Sequence, residues 1–241
     1  MPGLPEVQAG DDLVDLVGDA LAASGVGAAP GDVVVVASKI VSKAEGQRVA
    51  GSPSPGDEAR RLAAVTGFDA GEVELILSES AAVLRSAPGV LVVETRQGFV
   101  CANAGIDRSN TGQAGTALLL PKDSDASAGR LRRGLSERFG LELAVVVSDT
   151  FGRPFRHGLI NVALGVAGMD AIRDYRGSKD SEGRSLKGTE MAVADELCSA
   201  TELVMNKLDR VPVAVVRGYH YQPAAGSGRV LLREPERDYF R

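Results

Sequence analysis

Apolar residues along this chain fall into two kinds of pattern, short unbroken runs and stretches at helical spacing, and each predicts its own elements. Residues 144–147 (Ala-Val-Val-Val) and the start of 32–43 (DVVVVASKIVSK) are too short for helices and rich in β-branched residues. They read as strands buried on both faces. Residues 211–216 form a third apolar strand, which Pro212 assigns to an edge or a strand start. Residues 90–93 and 99–101 flank Gln97-Gly98 and predict a hairpin, and residues 230–232 look strand-like. Helical spacing begins after Asp11-Asp12, where Leu13, Leu16, Val17, Ala20 and Leu21 share one face; Gly25, Gly27 and Pro30-Gly31 end it. Residues 58–86 predict helix with a break at 66–69, and 126–139 predict another. The apolar segment 159–172 is assigned to helix despite Gly165 and Gly168. Residues 189–208 give the clearest helix, with Val193, Leu197, Ala200, Val204 and Leu208 along one face. Residues 51–57, 102–110 and 177–188 are polar and loop-like.

Strands and helices interleaved in this way predict an α+β fold. The expectation is a single mixed-sheet domain over residues 1–241 with packed helices, and a small subdomain near residues 50–90. A chain of 241 residues can bury roughly 70–75% of its unfolded surface. Lys and Arg number 27 against 32 Asp and Glu, and 27 − 32 = −5, with the basic residues scattered. No Lys/Arg stripe offers a phosphate-backbone footprint, and without tryptophan a base-stacking platform is poorly served, so nucleic acid is not an expected partner. Cys101 and Cys198 stand far apart with no CxxC or Cys/His cluster, which argues against a zinc site or a disulfide and for a reducing cytosol. The first residues, MPGLPEVQAGDDL, carry early acids and no apolar core of a signal peptide. No run approaches the about 18 apolar residues of a membrane span. A cytoplasmic protein away from membranes is expected.

The chemistry concentrates in residues 144–158, AVVVSDTFGRPFRHG. A buried strand runs into Ser148, Asp149 and Thr150, then a turn, then Arg156 and His157. A carboxylate can hold a hard cation through oxygen, and Arg153 and Arg156 can grip phosphate or carboxylate with forked hydrogen bonds. Equally, Asp149 could cap a following helix, Arg156 could cap or meet a second copy, and His157 could be a base for an amine or a surface residue. Two further strand ends carry similar groups. Ser38, Lys39, Ser42 and Lys43 follow one strand, where lysines can neutralise phosphates or simply be solvated. Residues 102–110, ANAGIDRSN, follow another, where Asp107 and Asn110 can hold a cation and a nucleotide oxygen or form an Asx-turn. Ends of neighbouring strands lie close in a sheet, so these acids and lysines can converge on one metal-nucleotide complex. The usual nucleotide and hydrolase signatures are absent: no P-loop, no G-x-G-x-x-G, no G-x-S-x-G, no H-E-x-x-H.

Taken in order, GLPEV, ASKIVSKAEG, NAGIDRSN, SDTFGRPFRHG, the KD..GR.L loop, VADE and VVRG resemble the coenzyme F-420-0:L-glutamate ligase family over nearly the whole chain. The resemblance implies GTP-dependent addition of γ-linked L-glutamate to coenzyme F-420-0 through an acyl phosphate, releasing GDP and phosphate. It also implies an intertwined homodimer and two divalent cations, Mg2+ or Mn2+, with potassium as a further ion. By position, Asp107 and Asp149 become metal ligands, Thr150 touches a second metal, and Gln222 offers another oxygen. Leu4, Pro5, Glu6 and Val7 lie against the nucleotide, and Ser38, Lys39, Lys43 and Asn110 contact its phosphates and sugar. The loop 218–227, with Gly218, Gly226 and Ser227, closes over it. Asp149, Arg153 and Arg156 are expected to form the catalytic set; the arginines are assigned from their own chemistry and not from the resemblance, as clamps for an anionic tail or for glutamate. Asp195 and Glu196 are expected to face solvent or a partner subunit. The alternatives are a metal-dependent phosphohydrolase using the same acids and lysines, and a regulatory protein that binds GTP or GDP without turnover.

Overall fold

The computed structural model describes residues 1, 3–108 and 115–239. Helix α1 (Leu13–Ala23) starts where Asp12 accepts the N–H groups of Val14 and Asp15, an N-cap that satisfies two otherwise unpaired donors. Strand β1 (Val33–Ala37) passes without a turn into a short helix, α2 (Ser38–Ala44). After β2 (Arg48–Ala50) come α3 (Asp57–Thr66), α4 (Ala70–Ser78), β3 (Ser80–Ala87), β4 (Val90–Thr95) and β5 (Val100–Ala102). Strand β6 (Thr116–Leu118) precedes α5 (Ser124–Phe139), and β7 (Ala144–Arg153) and β8 (Arg156–Ala167) form a long hairpin. The chain ends with β9 (Arg173–Asp174), β10 (Glu190–Met191), α6 (Val193–Met205), β11 (Val213–Val216) and short 3-10 turns.

The central sheet has the order β11-β1-β7-β8, with β1 and β7 parallel and both outer pairings antiparallel. Alternate residues of a strand face opposite ways, and here both faces are covered. Val34, Val36, Val145 and Val147 pack against α1 and α5, while Val33, Val35, Ala144 and Val146 pack against α6. That is why β1 and the start of β7 are unbroken runs of apolar residues, mostly valine, rather than alternating. Pro212 sits just before an edge strand, where its missing N–H costs no ladder bond. A second core forms between α3, α4 and the β3-β4-β5 sheet around Leu62, Ile76, Leu91 and Val93. These elements overlap residues 50–90, where the sequence leads one to expect a small subdomain.

Four sequence expectations are corrected. Residues 159–172 are not helical: β8 pairs with β7 along nearly its whole length, and a strand is the only form that satisfies its backbone beside that neighbour. Residues 80–86 are likewise strand, because α4 stops at Ser78 and the following segment pairs with β4. Residues 230–232 lie in and just after a 3-10 turn spanning Gly228–Leu231 rather than in a strand. Helix α6 is shorter than 189–208 and buries Val193, Ala194, Leu197, Cys198, Thr201 and Met205, so Val204 and Leu208 lie 66% and 88% exposed. No helix among the described residues is long and apolar enough to cross a membrane.

Candidate active site

Because β1 and β7 are parallel and in register to Ala37↔Ser148, they deliver Ser38 and Asp149 side by side at one end of the sheet. The Ser38 hydroxyl donates to Asp149 Oδ2 at 2.6 Å, and the Thr150 N–H donates to Oδ1 at 2.6 Å. Burial pushes the Asp149 carboxyl above its ordinary range, and the nearby Asp107 charge pushes the same way; the Ser38 bond, the Thr150 N–H and the Lys207 ammonium oppose it. Asp107 arrives from a different direction. It follows a tight turn in which Asn103 and Ala104 both take positive φ, and its backbone makes a two-way pairing with Leu118, at 2.9 and 2.8 Å. Its carboxylate forms an ion pair with Lys39. Asp107, Asp149, Ser38, Lys39 and Ser42 line one narrow cavity floored by residues 118–120. The convergence expected from three separate strand ends is therefore what the fold produces for two of the carboxylates and one lysine.

Cys101 on β5 lies under the same site; burial, with a smaller push from the Asp149 charge, raises its thiol to about 12. Cys198 on α6 is raised to about 12 by burial as well. Only thiolate reacts readily, so neither cysteine should be labelled by a disulfide reagent in native protein at pH 8. Spectrophotometric titration is expected to find no reactive thiol before denaturation and two afterwards.

Lys43 is 6% exposed and forms an ion pair with Glu6. Its hydrogen bond holds the Glu6 carboxyl below the usual range, helped by the charges of Arg210 and Arg48. Val7 is buried in the same core as α1 and α2, and Gly10 N–H donates to Ala44 O at 2.9 Å, so the segment containing Leu4, Pro5, Glu6 and Val7 runs along α2. The end of the sheet that holds Asp149 thus gathers Lys39, Lys43, Arg48, Lys207 and Arg210. Sequence reading missed Arg48, Lys207 and Arg210, which have no motif and lie in β2 and in the 206–212 connection.

Other expected site residues are not brought together in one chain. Asp170 N–H donates to Gln222 O at 3.0 Å, just past the end of β8 at Ala167, which pairs with Val145. Asp149 lies four residues farther along β7, about 13 Å at strand rise. Gln222 is therefore at the opposite end of the sheet from Asp149. Gly218 follows β11 at that same far end, beyond the Val33↔Val216 pair. Gly226 packs against Val166 O and Met169 O, and the Ser227 hydroxyl donates to Asp125 Oδ2 at 2.6 Å, so both seat the C-terminal segment on α5 and β8. Arg153 Nη2 donates to His157 O at 3.0 Å, bracing the β7–β8 hairpin, and Arg156 and His157 are exposed there. Neither arginine lines the cavity. Asn110 lies outside the described residues. Asp195 is half-buried, its Oδ1 accepting the Ala163 N–H at 2.8 Å, whereas Glu196 is exposed.

For a divalent cation, Asp107 and Asp149 both line the cavity and have the chemistry that suits one ion, hard carboxylate oxygens. Among the described residues no cluster of three or more His, Cys, Asp or Glu could hold a metal. Such an ion would have to complete its shell with water and substrate phosphates, which suits Mg2+ in phosphate chemistry. Around Thr150 the fit fails. Its hydroxyl donates to Asn161 Oδ1 at 2.6 Å and accepts from Lys207, so an ammonium already occupies that side.

The chain matches the profile described as F420-0:Gamma-glutamyl ligase over residues 3–218. It is 48% identical to the coenzyme F420:L-glutamate ligase of Methanothermobacter thermautotrophicus, the alignment covering 99% of this chain and 96% of that protein. The proteins of the same name from Haloarcula marismortui and Methanopyrus kandleri are 44% and 40% identical, over 99% and 98% of this chain and 93% and 94% of theirs. With a profile match across most of its length and relatives aligned nearly end to end, the chain belongs to the F420-0:gamma-glutamyl ligase family.

Proposed function

We propose that this protein is an amide-forming ligase that joins L-glutamate to coenzyme F-420-0, in γ-linkage, at the expense of GTP. The family and the names of its relatives support the ligase and its two organic substrates. The observation that carries the site is the meeting of Asp107, Asp149, Ser38 and Lys39 in one cavity. Two carboxylates interleaved with lysines suit a nucleoside triphosphate bridged to the protein by a divalent ion. In the reaction proposed, a carboxylate oxygen of the coenzyme attacks the γ-phosphorus of GTP, forming an acyl phosphate and expelling GDP. The glutamate amine then attacks the acyl carbon, phosphate leaves, and the nitrogen loses a proton. A bound Mg2+ or Mn2+ would neutralise charge on the transferred phosphoryl group. Lys39 and Lys43, with Arg48 and Arg210 nearby, would hold the triphosphate, and Ser38 would fix the orientation of Asp149. A homodimer is part of the reading; Phe155, Leu203 and Leu208, which are 86%, 85% and 88% exposed, are apolar side chains for a second copy to cover.

The test is mass spectrometry of the products formed with GTP, Mg2+, glutamate and the glutamate-free coenzyme. A coenzyme heavier by one glutamyl unit, with equimolar GDP, is expected. Omitting glutamate or the coenzyme should stop product formation. GTP breakdown indifferent to both would mean a phosphohydrolase, and nucleotide binding without any product would mean a regulatory role.

A further inference from the structure

We propose that the ε-ammonium of Lys207 is a built-in cation on the Thr150 side of the site, standing where a second divalent ion would otherwise sit, so that this protein works with one divalent ion per chain. The proposal rests on the nucleotide-dependent reading above. Four side chains close a ring there. Lys207 Nζ donates to Thr150 Oγ1, Thr150 donates to Asn161 Oδ1 at 2.6 Å, and Asn161 Nδ2 donates to Glu202 Oε2 at 2.8 Å. Glu202 Oε1 returns to Lys207 Nζ at 3.4 Å.

Each contact is chemically directed. A threonine hydroxyl has one proton and two lone pairs. Here the proton is committed to Asn161, which is 4% exposed, and one lone pair is committed to the ammonium. A divalent ion on the remaining lone pair would lie within a few ångströms of a positive charge that Glu202 only partly balances. Lys207 is also close enough to Asp149 for its charge to act on that carboxyl, so it serves the same group that the first ion would contact.

The lysine is placed with some effort. Helix α6 ends at Met205, and Asn206 adopts φ 54° and ψ 166°, a combination that side-chain-bearing residues rarely take. The Asn206 side chain braces the turn, accepting the Lys207 N–H at 2.8 Å and donating to Asp209 Oδ2 at 3.1 Å. Lys207 thereby leaves the helix axis and reaches back to β7. Its side chain stays 57% exposed, so replacing it removes no core packing.

The experiment counts Mn2+ by electron paramagnetic resonance in full-length protein with a non-hydrolysable GTP analogue, alongside GTP turnover. Wild type is expected to bind one Mn2+ per chain and show an uncoupled spectrum. Lys207→Met should lose at least about tenfold in turnover at low Mn2+, the scale of a lost charge stabilising phosphoryl transfer. At high Mn2+ it should recover, with a second ion and the spin-coupled spectrum of ions about 3.5–4 Å apart. Lys207→Arg, which keeps the charge, should stay at one ion. Two ions in wild type, or a Lys207→Met variant with unchanged stoichiometry and rate, would overturn the proposal and leave the ligase reading intact. Wild type that binds neither Mn2+ nor the analogue would overturn both.

Discussion

Asp149→Asn is expected to cut turnover by at least about a hundredfold, the scale of losing one preorganised electrostatic contact, and yet to leave the melting temperature unchanged or higher. The two effects have one cause. Asp149 stands at the end of a buried strand, and burial raises its carboxyl above the ordinary range. The folded state therefore holds that proton more tightly than the unfolded chain does. At neutral pH ionised Asp149 works against folding, and the penalty is relieved as pH falls through the raised value. An amide is nearly the same shape. Its oxygen can keep the Thr150 N–H, and its nitrogen can donate to Ser38, whose hydroxyl is free to rotate. Removing the charge thus removes a cost to folding together with the hard oxygen donor that the chemistry needs. Thermal melts of both proteins at several pH values check this, and the variant's advantage should shrink as the solution is acidified. A variant that melts well below wild type at neutral pH would show Asp149 to be a structural anchor instead.

Gly165→Ala, whose added Cβ would make the closest contact of any described glycine, is expected to destabilise the protein by about 2–4 kcal/mol. A Cβ at this position would lie 2.1 Å from Ser124 O and 2.7 Å from Asp125 N. Both are backbone atoms at the start of α5, and neither can swing aside as the end of a side chain can. The close approach is held by Asp125, whose Oδ1 accepts the N–H groups of Val166 and Gly228 at 2.9 and 2.6 Å. One side chain thus ties the helix start to β8 and to the C-terminal segment, and pushing β8 away strains all three. In a chain of this size such a loss lowers the melting temperature by roughly 5–15 °C. Differential scanning calorimetry measures it directly, and a shift under about 2 °C would mean that α5 can slide. Turnover per folded molecule should change little, because Gly165 pairs with Val147, short of Asp149.

Gly165 also explains a misreading. In isolation, residues 159–172 are apolar on all sides, and nothing in their spacing separates a buried helix from a strand buried on both faces. What decides for strand is β7, whose edge needs a partner over ten residues, Ala144–Arg153. Residues 80–86 went the same way for the same reason, since β4 lay ready to pair with them. The buried face of α6 was likewise misplaced. Thr201 is buried with its hydroxyl bonded to Cys198 O at 2.9 Å, while Val204 faces outward. A polar residue that satisfies itself within its own helix can replace an apolar one in a core, and hydrophobic pattern alone does not register that.

The site was legible to different depths. Asp149, Ser38 and Asp107 could be picked out because each follows a segment whose strand character is written locally in β-branched residues or hairpin chemistry. Their meeting depended on parallel register between strands more than a hundred residues apart, which no local pattern encodes. Lys207 had no signal of its own. Its role appears only when α6 packs on β8 and carries Glu202 to Asn161, and the turn at Asn206 aims the ammonium at Thr150. Gln222, Gly218, Gly226 and Ser227 were drawn into the site by resemblance, and the antiparallel edge strand β11 carried them to the far end of the sheet.

By itself, the sequence determined the elements whose cause is local: the Asp12-capped helix, the all-valine strand flanked by layers on both faces, the 90–102 hairpin, and the carboxylates at strand ends. These follow from side-chain spacing and capping within a few residues. Tertiary structure alone decided which apolar segments became strands, which face of α6 is buried, and which charges share the cavity. Those outcomes depend on backbone groups finding partners and on charges brought together from distant parts of the chain, and neither is a property of any one segment.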